Sequence, residues 1–510
     1  MLKTVILGTA AAFLTLAAAK AAPQILAPPA APGPGVQPYV KVGNPVVILT
    51  HARVIDGTGG PAQEDRTILI SGGKIVRIFD SNALSAGPLS KSLEALPARP
   101  GADSPTIIDL TGRTVLPGLV GLHDHMYYIA RPNMDAAGHS EAPLLVPQMT
   151  FSSPRLYLAA GVTTMRTTGS VEPYVDLNVK TEIDSGRMAG PHMDVTGPYL
   201  EGANSPFIQM HQLKDAEDAR RTVAYWADQG ATSFKAYMNI TRAELGAAIQ
   251  EAHRRGLKLT GHLCSVTYPE AIALGIDDLE HGFFVNTELD PGKQPDKCSQ
   301  STGNATLLAM TPESPEADAL IKSLVAHHVA VTSTLPVFEQ RIPMHAPLNP
   351  RAMAVLTSEA REAYLYARNL TNQAPRERYA DTAREYRNDL GLERKFVAAG
   401  GLLVAGPDPT GNGGVIPGFG DQREVELLVE AGFRPEEAIK IATLNGATYL
   451  GLADRIGSIA PGKDADLMVV KGDPSRAIAD IENVEIVFKD GVGYDSAKLL
   501  ESVKGRYGQY

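Results

Sequence analysis

The sequence has little cysteine and no excess of positive charge. Among 510 residues there are two cysteines, and 47 Lys and Arg stand against 57 Asp and Glu, for a formal net charge of −10. That balance gives no reason to expect nucleic acid or an anionic membrane surface as a partner. No long apolar run follows the N-terminal segment, and 44% of the residues are hydrophobic, enough for a large buried core. We therefore expect an acidic soluble enzyme that acts on a small-molecule substrate.

The N-terminal segment has the pattern of a signal peptide. Lys3 precedes the apolar run VILGTAAAFLTLAAA, and Ala19 and Ala21 are small at the positions that a signal peptidase reads. The run is shorter than the roughly 20 residues that span a bilayer, which disfavours a membrane anchor. We predict a signal peptide at 1–21, no membrane association after its cleavage, and a periplasmic or secreted mature chain.

The two cysteines, Cys264 and Cys298, must be interpreted in that compartment. An oxidising environment allows a disulfide between them. Two unpaired thiols are the alternative. A metal-ligand role for Cys264 is less favoured, since it shares a strand face with His262 only if that strand continues.

Both ends of the chain have β patterns. Residues 22–45 are Pro-rich and predict an extended leader, whereas 46–112 and 453–495 contain short alternating strands around Gly and Pro turns. Residues 81–105 interrupt this pattern and predict an exposed insertion. Because neither end has enough strands for its own core, we predict one small β-sandwich domain built from both ends, followed by a tail at 496–510 that is a short helix or frayed.

The middle of the chain, residues 113–452, alternates apolar β-branched segments with helical patterns that end in glycine. Counting the opening strand, there are eight such units, which predicts an α/β fold with a (β/α)₈ TIM barrel. The seven later strand segments are 161–168, 192–197, 232–237, 257–263, 277–282, 329–334 and 401–408.

The most informative stretch runs from Thr114 to Met126, where an apolar run ends in His123, Asp124 and His125. Side chains alternate faces along a strand, so His123 and His125 point to the same side. Neutral imidazole is a common metal ligand, but two histidines do not complete a site. Barrel enzymes place their chemistry at the C-terminal ends of the strands. The residues found at later strand ends are Lys235, His262, His281 and Asp408.

This order of residues resembles the metal-dependent amidohydrolase superfamily: His-x-His on the first strand, Lys on the fourth, His on the fifth and sixth, and Asp on the eighth. The phrases TVLPGLVGLHDH, GVTTMRTTG, EAHRRGLKLTGH, GIDDLEHG, AIKIATLNGATYLGL and IGSIAPGKDADLMVV resemble, more narrowly, the branch that holds imidazolonepropionase-like proteins and the Xaa-Pro dipeptidases and carboxypeptidases. The likeness covers about residues 46–495, and its specificity comes from the ordered combination.

The resemblance implies two divalent metal ions, with Zn²⁺ expected, and a bridging hydroxide that attacks a carbonyl. Asp408 then acts as the proton shuttle. A lysine ammonium is only a donor and cannot bind a cation, so the resemblance implies a Lys235 carboxylated by CO₂ as the bridging ligand. The implied ligands are His123, His125 and Asp408 for one ion, His262 and His281 for the other, and Lys235 between them.

Each of these residues also has a structural interpretation. His123 and His125 can be a polar strand end, and Lys235 can form an exposed strand end or an ion pair. His262 and His281 can be core histidines, and Asp408 can be a turn former between two prolines.

Weaker candidates lie around the same strand ends. Tyr237 shares a strand face with Lys235 and can donate a hydrogen bond to a developing oxyanion, or it is simply a packed aromatic. His253, in the middle of a predicted helix, is better explained by packing. The segment 341–394 is interpreted as a lid or an oligomer contact. Other candidates for lining the pocket are His211, Arg131, Tyr127, Tyr128 and Arg341.

Two departures from the family pattern affect details. Thr167 stands where an Asp often follows the Arg, which changes a polar contact, and prolines flank Asp408, which changes the shape of the pocket floor.

We predict a binuclear hydrolase that cleaves an amide bond, preferably of a dipeptide or an N-acyl amino acid with a free carboxylate. Specificity lies in loops that the motif does not fix, so two alternatives stay open. One is a cyclic amidase or a hydrolase of an amide-linked xenobiotic. The other is a metal-binding barrel without catalysis, which would need no proton shuttle such as Asp408. The sequence allows a homo-oligomer.

Overall fold

The computed structural model describes residues 24–84, 104–129, 145–205 and 207–508. The predicted signal peptide, most of the predicted insertion and Arg131 lie outside the described residues. Within them, every helix is too short or too polar to cross a bilayer.

Six strands come from the N-terminal part of the chain. They are β1 (Val40–Val42), β2 (Val46–Val54), β3 (Gln63–Ser71), β4 (Lys74–Asp80), β5 (Thr106–Asp109) and β6 (Arg113–Pro117).

Ten short strands follow in the middle of the chain, and all their pairings in the described residues are parallel. Seven of them coincide with the seven predicted segments, which confirms an α/β fold with parallel sheets. The strands are β7 (Leu119–Asp124), β8 (Val162–Thr167), β9 (His192–Val195), β10 (Leu200–Glu201), β11 (His211–Gln212), β12 (Ser233–Ala236), β13 (Lys258–Gly261), β14 (Asp278–Glu280), β15 (Ala330–Ser333) and β16 (Leu403–Ala405).

These ten strands form two sheets. One has the order β7-β8-β9, and the other has the order β11-β10-β12-β13-β14-β15-β16. Thr196 forms a parallel bridge with Ser233, so the end of β9 meets the start of β12. At the other edge, the Asp408 N–H donates to the carbonyl of His123 at 3.0 Å, which connects the segment after β16 to β7.

Strands from both chain ends share one sheet. The C-terminal strands are β17 (Leu467–Lys471), β18 (Val484–Lys489) and β19 (Val492–Asp495). β17 pairs antiparallel with β6, and the nine-stranded sheet has the order β1-β19-β18-β17-β6-β2-β3-β4, with β5 paired to β2. Alternate apolar residues of this sheet form a core of their own, which includes Val47, Leu49 and Leu467. The division into two sandwich layers and the domain bounds stay a prediction.

The Pro-rich leader contains more structure than its composition suggests. β1 lies inside the predicted leader and pairs with β19, so part of residues 22–45 belongs to the nine-stranded sheet. Val36 and Val42 are buried, because a short apolar segment beside an open sheet edge gains both backbone pairing and burial there.

The apolar run from Thr114 to Met126 is two strands rather than one. It divides at Gly118, between β6 of the nine-stranded sheet and β7 of the parallel sheet. A Cβ at Gly118 would overlap the side chain of Thr163, so only glycine lets the backbone pass this closely. The break therefore connects the β-rich ends of the chain to the strand that carries His123 and His125.

Helices alternate with the parallel strands, and several begin with capping boxes, such as Thr241 with Glu244 and Thr267 with Glu270. Single 3₁₀ turns lie at Gln37–Tyr39, Ser81–Leu84, Arg376–Tyr379 and Ile478–Glu482, and a π-helical turn lies at Ile441–Asn445. The α-helices are α1 (Ser152–Ala159), α2 (Pro173–Asp184), α3 (Ala216–Gln229), α4 (Arg242–Arg254), α5 (Tyr268–Leu274), α6 (Asn304–Ala309), α7 (Pro315–Ala326), α8 (Leu335–Glu339), α9 (Pro350–Val355), α10 (Ser358–Gln373), α11 (Ala380–Ala398), α12 (Phe419–Glu430), α13 (Pro435–Lys440), α14 (Gly446–Tyr449) and α15 (Ser496–Val503).

Candidate metal centre

The six residues predicted as metal ligands line one cavity of about 230 Å³. All of them lie within or just after the C-terminal ends of parallel strands, where that end of each strand faces the same side of the sheet. Five are buried and His262 is half-buried. The structure thus brings together six positions that are spread over nearly three hundred residues: His123, His125, Lys235, His262, His281 and Asp408. Their role as ligands stays a prediction.

Asp408 lies at the centre of this group. Its Oδ1 is 3.2 Å from Nε2 of His125 and 3.7 Å from Nε2 of His123, and its Oδ2 is 3.9 Å from Nδ1 of His281. Donors that bind one ion at about 2 Å lie roughly 3–4 Å from one another. His123, His281 and Asp408 each offer one ligand atom within 4.8 Å of the others. The rings of His262 and His281 have centroids 4.4 Å apart, so the fifth strand end adjoins the same group. The donor spacing therefore fits a metal ion.

Two of these residues have left-handed backbones. His281 has φ of 70° and Asp408 has φ of 49°. For a residue other than glycine this conformation costs on the order of 1 kcal/mol, and it persists where the surrounding contacts fix it. Asp408 is held by its N–H bond to His123 and by Thr410, whose hydroxyl donates to Oδ1 at 3.0 Å. Strain at these two strand ends is what a functional site often shows.

Lys235 is buried and has no hydrogen-bond or ion-pair partner among the described residues. Burial lowers the pKa of its ammonium to about 8. A buried ammonium is costly unless it is paired, and the carboxylates of Glu280 and Asp408 offset only part of that cost. In its neutral form the amine can react with CO₂, and the resulting carbamate would be an anion directed at the histidines. Because Nζ of Lys235 has no close ion-pair partner among the described residues, a role as bridging ligand fits it better than a structural ion pair does.

The imidazoles are held neutral, which is the form that binds a metal. Burial lowers the pKa of His262 to about 3 and lowers the pKa of His123 and His281 well below the usual range, with Lys235 adding to the shift of each. Burial alone would raise the pKa of Asp408, but the imidazoles of His123 and His125 lower it below that of an ordinary carboxyl group. The site therefore combines neutral nitrogens with an ionised carboxylate.

A buried carboxylate orients one of these histidines. Nδ1–H of His123 donates to Glu280 Oε2 at 2.6 Å, which leaves Nε2 directed toward Asp408. Arg166 donates to Glu280 at 2.9 Å and to Asp278 at 2.8 Å. Such outer contacts fix the tautomer of a ligand histidine and raise its basicity.

Sequence reasoning missed Glu280. It adjoins His281 in the segment GIDDLEHG, and its partner His123 lies 157 residues away in the sequence. An acidic residue inside a strand segment was the available signal. Thr167 stands where the family often has an Asp after the Arg. Its hydroxyl accepts a hydrogen bond of 3.2 Å from the N–H of Thr196, just after β9.

Three tyrosines form part of the cavity wall. Tyr127 and Tyr199 are joined by a hydrogen bond of 2.8 Å between their hydroxyls. Tyr237 has a ring centroid 4.9 Å from that of His262, and its hydroxyl has no partner among the described residues. The predicted donor Tyr237 therefore lies at the cavity with a free hydroxyl group.

Besides Tyr237, Tyr127 is the weaker candidate among the described residues that lines the cavity. Tyr128 donates to the carbonyl of Gly413 at 3.2 Å, and Arg341 lies over the ring of Phe338 at 5.9 Å. Neither belongs to the wall.

The two other histidines considered from the sequence form pairs outside the cavity. His211 lies 3.3 Å from Asp218, and His253 lies 2.9 Å from Asp277 and is partly exposed. Each histidine is paired with a carboxylate near the protein surface and does not belong to the site.

The structure contains a disulfide between Cys264 and Cys298, whose Cα atoms are 4.7 Å apart. The disulfide that the sequence allowed is therefore confirmed, and neither thiol is free. Cys264 lies two residues after His262, so the bond ties the segment after β13 to the loop after β14.

Parts of the chain are similar in sequence to a protein family and to individual curated proteins. Residues 406–493 match the model of the Amidohydrolase family. Imidazolonepropionase from Porphyromonas gingivalis is 38% identical over 95 residues, which is 18% of this chain and 21% of that protein. The matched part thus spans about a fifth of the length of this curated relative.

Solved structures are similar over most of the chain. A Xaa-Pro dipeptidase with bound methionine in its active site has a TM-score of 0.61 at 21% identity, covering 88% of this chain and 100% of its own. A bottromycin amidohydrolase has a TM-score of 0.64 at 18% identity, covering 92% of this chain and 94% of its own. At such identities the likeness concerns the fold alone. The chain is thus similar to the Amidohydrolase family over residues 406–493, and similar in fold to solved amidohydrolase structures over most of its length.

Proposed function

We propose that this protein is a metal-dependent hydrolase that cleaves an amide C–N bond in a small substrate. The observation that carries the proposal is the convergence of six donor side chains from separate strand ends on one cavity, with the ionised Asp408 among neutral imidazoles. The match of residues 406–493 to the Amidohydrolase family supports the same reaction class.

We also propose that the two parallel sheets close into one (β/α)₈ barrel over residues 113–452, beside a β-sandwich formed by both chain ends. Two contacts support closure: the bridge between Thr196 and Ser233 at one seam, and the bond from Asp408 to His123 at the other. A closed barrel would bring the ends of β7 and β16 together, as the site requires.

Two divalent ions fit the donor set. His123, His125 and Asp408 would hold one, and His262 and His281 would hold the other, with carboxylated Lys235 between them. Zn²⁺ is the expected metal, since the donors are imidazole nitrogens and carboxylate oxygens. When bound, such ions lower the pKa of water and polarise a carbonyl oxygen.

The side chains of the protein would perform the proton transfers. Asp408 is ionised and lies 3.2 Å from His125, so it can accept a proton from the attacking water and pass it to the leaving amine. Tyr237 has a free hydroxyl at the cavity and can donate to the carbonyl oxygen as negative charge develops there.

We propose a periplasmic or secreted location, which the disulfide between Cys264 and Cys298 supports. Disulfides persist in oxidising compartments and are rare in the cytosol.

The test is a screen of dipeptides, N-acyl amino acids, cyclic amides and lactones with the metal-loaded protein. An Asp408→Asn variant should keep most of its metal while hydrolysis falls at least about 100-fold, because it loses a positioned base. Asp218→Asn, at the surface beside His211, is the matched control and should retain activity. Turnover retained by Asp408→Asn would show that another group moves the proton. If the metal-loaded protein turned over no amide, the proposal would fail and the non-catalytic alternative would be favoured.

A further inference from the structure

The cavity wall has two chemically different parts. One part is formed by the predicted metal ligands, and the rest of the described wall is largely apolar and aromatic. Among the described lining residues the one cation is Lys235, which lies among the predicted ligands. The apolar side chains of the wall are Ile129, Val146, Val171, Phe207, Met210, Val337 and Phe338.

Most polar groups on this wall already form hydrogen bonds within the protein. Tyr127 and Tyr199 share a hydrogen bond, and the hydroxyl of Thr410 donates to Asp408. Tyr237 is left as the free neutral donor in the described wall. Beyond the amide that reacts, a bound molecule therefore finds few polar partners in the described part of the wall.

The aromatic part of the wall is held in place. The ring of Phe338, on α8, stacks on Phe284 with centroids 3.7 Å apart and planes inclined by 2°. Phe284 in turn lies beside Tyr386 of α11, with centroids 6.2 Å apart. A wall supported in this way favours a flat or branched apolar group, because offset stacking adds about 0.5–1.5 kcal/mol beyond burial.

Among the described residues of this part of the wall, a free carboxylate would find no cationic side chain. An ionised carboxylate moved from water to an apolar wall without a cationic partner loses far more than it gains from contact. Lys235 cannot serve both the metal ligands and a distant carboxylate. The cavity of about 230 Å³ is also small beside typical ligand pockets of about 300–1,000 Å³, which limits the substrate to about one ring and a short acyl group.

We propose that the preferred substrates are neutral amides with an aromatic or branched apolar group, rather than dipeptides or N-acyl amino acids with a free carboxylate. This inference rests on the proposed function for its chemistry, but the binding preference of the wall does not depend on catalysis. It reverses the substrate preference expected from the sequence and favours the alternative of an amide-linked neutral compound.

The test uses two compounds that differ by one carboxylate, N-acetylphenethylamine and N-acetyl-L-phenylalanine. With the metal-loaded wild type, kcat/KM should be at least about 100-fold higher for N-acetylphenethylamine. With the metal-depleted full-length protein, calorimetry should show at least about tenfold tighter binding of the same compound. Equal or better binding and turnover of N-acetyl-L-phenylalanine would overturn the inference while leaving the proposed function intact.

Val337 provides a variant that tests the physical cause. It is half-buried on α8 at the cavity wall. Val337→Arg supplies a cation and should narrow the binding ratio between the two compounds at least tenfold, whereas Val337→Met, a longer apolar side chain, should keep the ratio of the wild type. A ratio unchanged in Val337→Arg, with a native unfolding transition, would contradict the inference. Binding preference without turnover of either compound would support the inference and count against the proposed hydrolysis.

Discussion

Replacing Glu280 by Gln should weaken metal binding without removing any predicted ligand. Glu280 is fully buried and accepts the Nδ1–H of His123 at 2.6 Å. Gln is nearly the same size but has no charge, so it accepts this hydrogen bond more weakly and no longer raises the basicity of the imidazole. Loss of such an outer contact costs about 10–100-fold in metal affinity, which corresponds to about 1.4–2.7 kcal/mol.

The same substitution leaves Arg166 with Asp278 as its remaining close carboxylate. Because Arg166 is buried, we expect the free energy of unfolding to fall by about 1–3 kcal/mol as well. Metal affinity must therefore be measured on protein whose unfolding transition shows that it is folded.

The assay is competition with a chromophoric chelator at fixed pH and ionic strength. Asp218→Asn removes the carboxylate of another histidine pair, His211 with Asp218 at 3.3 Å, outside the cavity, and should leave the affinity unchanged. If folded Glu280→Gln bound metal within about twofold of the wild type, the argument that Glu280 orients His123 for a metal would be wrong.

Two further predictions concern other buried groups. Lys235→Ala should lose metal and activity, and a short carboxylate such as acetate should restore part of both by taking the place of a carbamate; full activity without rescue, measured by metal content and turnover, would contradict the carboxylated lysine. Burial raises the pKa of Glu424 to about 8 and also raises that of Asp389. In their neutral, protonated form both side chains therefore stabilise the folded state. The stability that they contribute is complete below the ordinary carboxyl pKa of about 4 and is lost as pH rises to about 8, by about 1.4 kcal/mol per pH unit for each group. Urea unfolding across this range should show the loss, Glu424→Gln should flatten it, and an unchanged slope would refute the assignment.

The repeating part of the fold and the positions of the site residues followed from the sequence because both depend on local periodicity. Apolar β-branched segments alternating with helical patterns identified seven of the parallel strands. Two-residue spacing placed His123 and His125 on one face. Once the strands are parallel, their ends meet on one side of the sheet, so Lys235 and Asp408 had to approach each other.

The features that the sequence did not reveal depend on contacts between distant segments. The division at Gly118 is set by the close approach of Thr163, and the strand Val40–Val42 forms only because β19 offers an open edge. The pairing of Glu280 with His123 requires two strands to be placed side by side. Neither composition nor periodicity contains that information.

The shape and polarity of the cavity wall also come from tertiary structure. Phe207 and Phe338 lie in segments whose sequences gave no functional signal, yet both line the site. The family resemblance concerns the donor side chains at the strand ends. The rest of the described wall comes from loops and the short helix α8, which the resemblance does not fix.

The most direct test of the central claim is the metal content of the purified, folded chain. Elemental analysis by mass spectrometry should find close to two divalent ions per chain, and His123→Ala and His262→Ala should each reduce that number. One ion or none per chain in the metal-saturated wild type would contradict a centre in which six side chains hold a pair of cations.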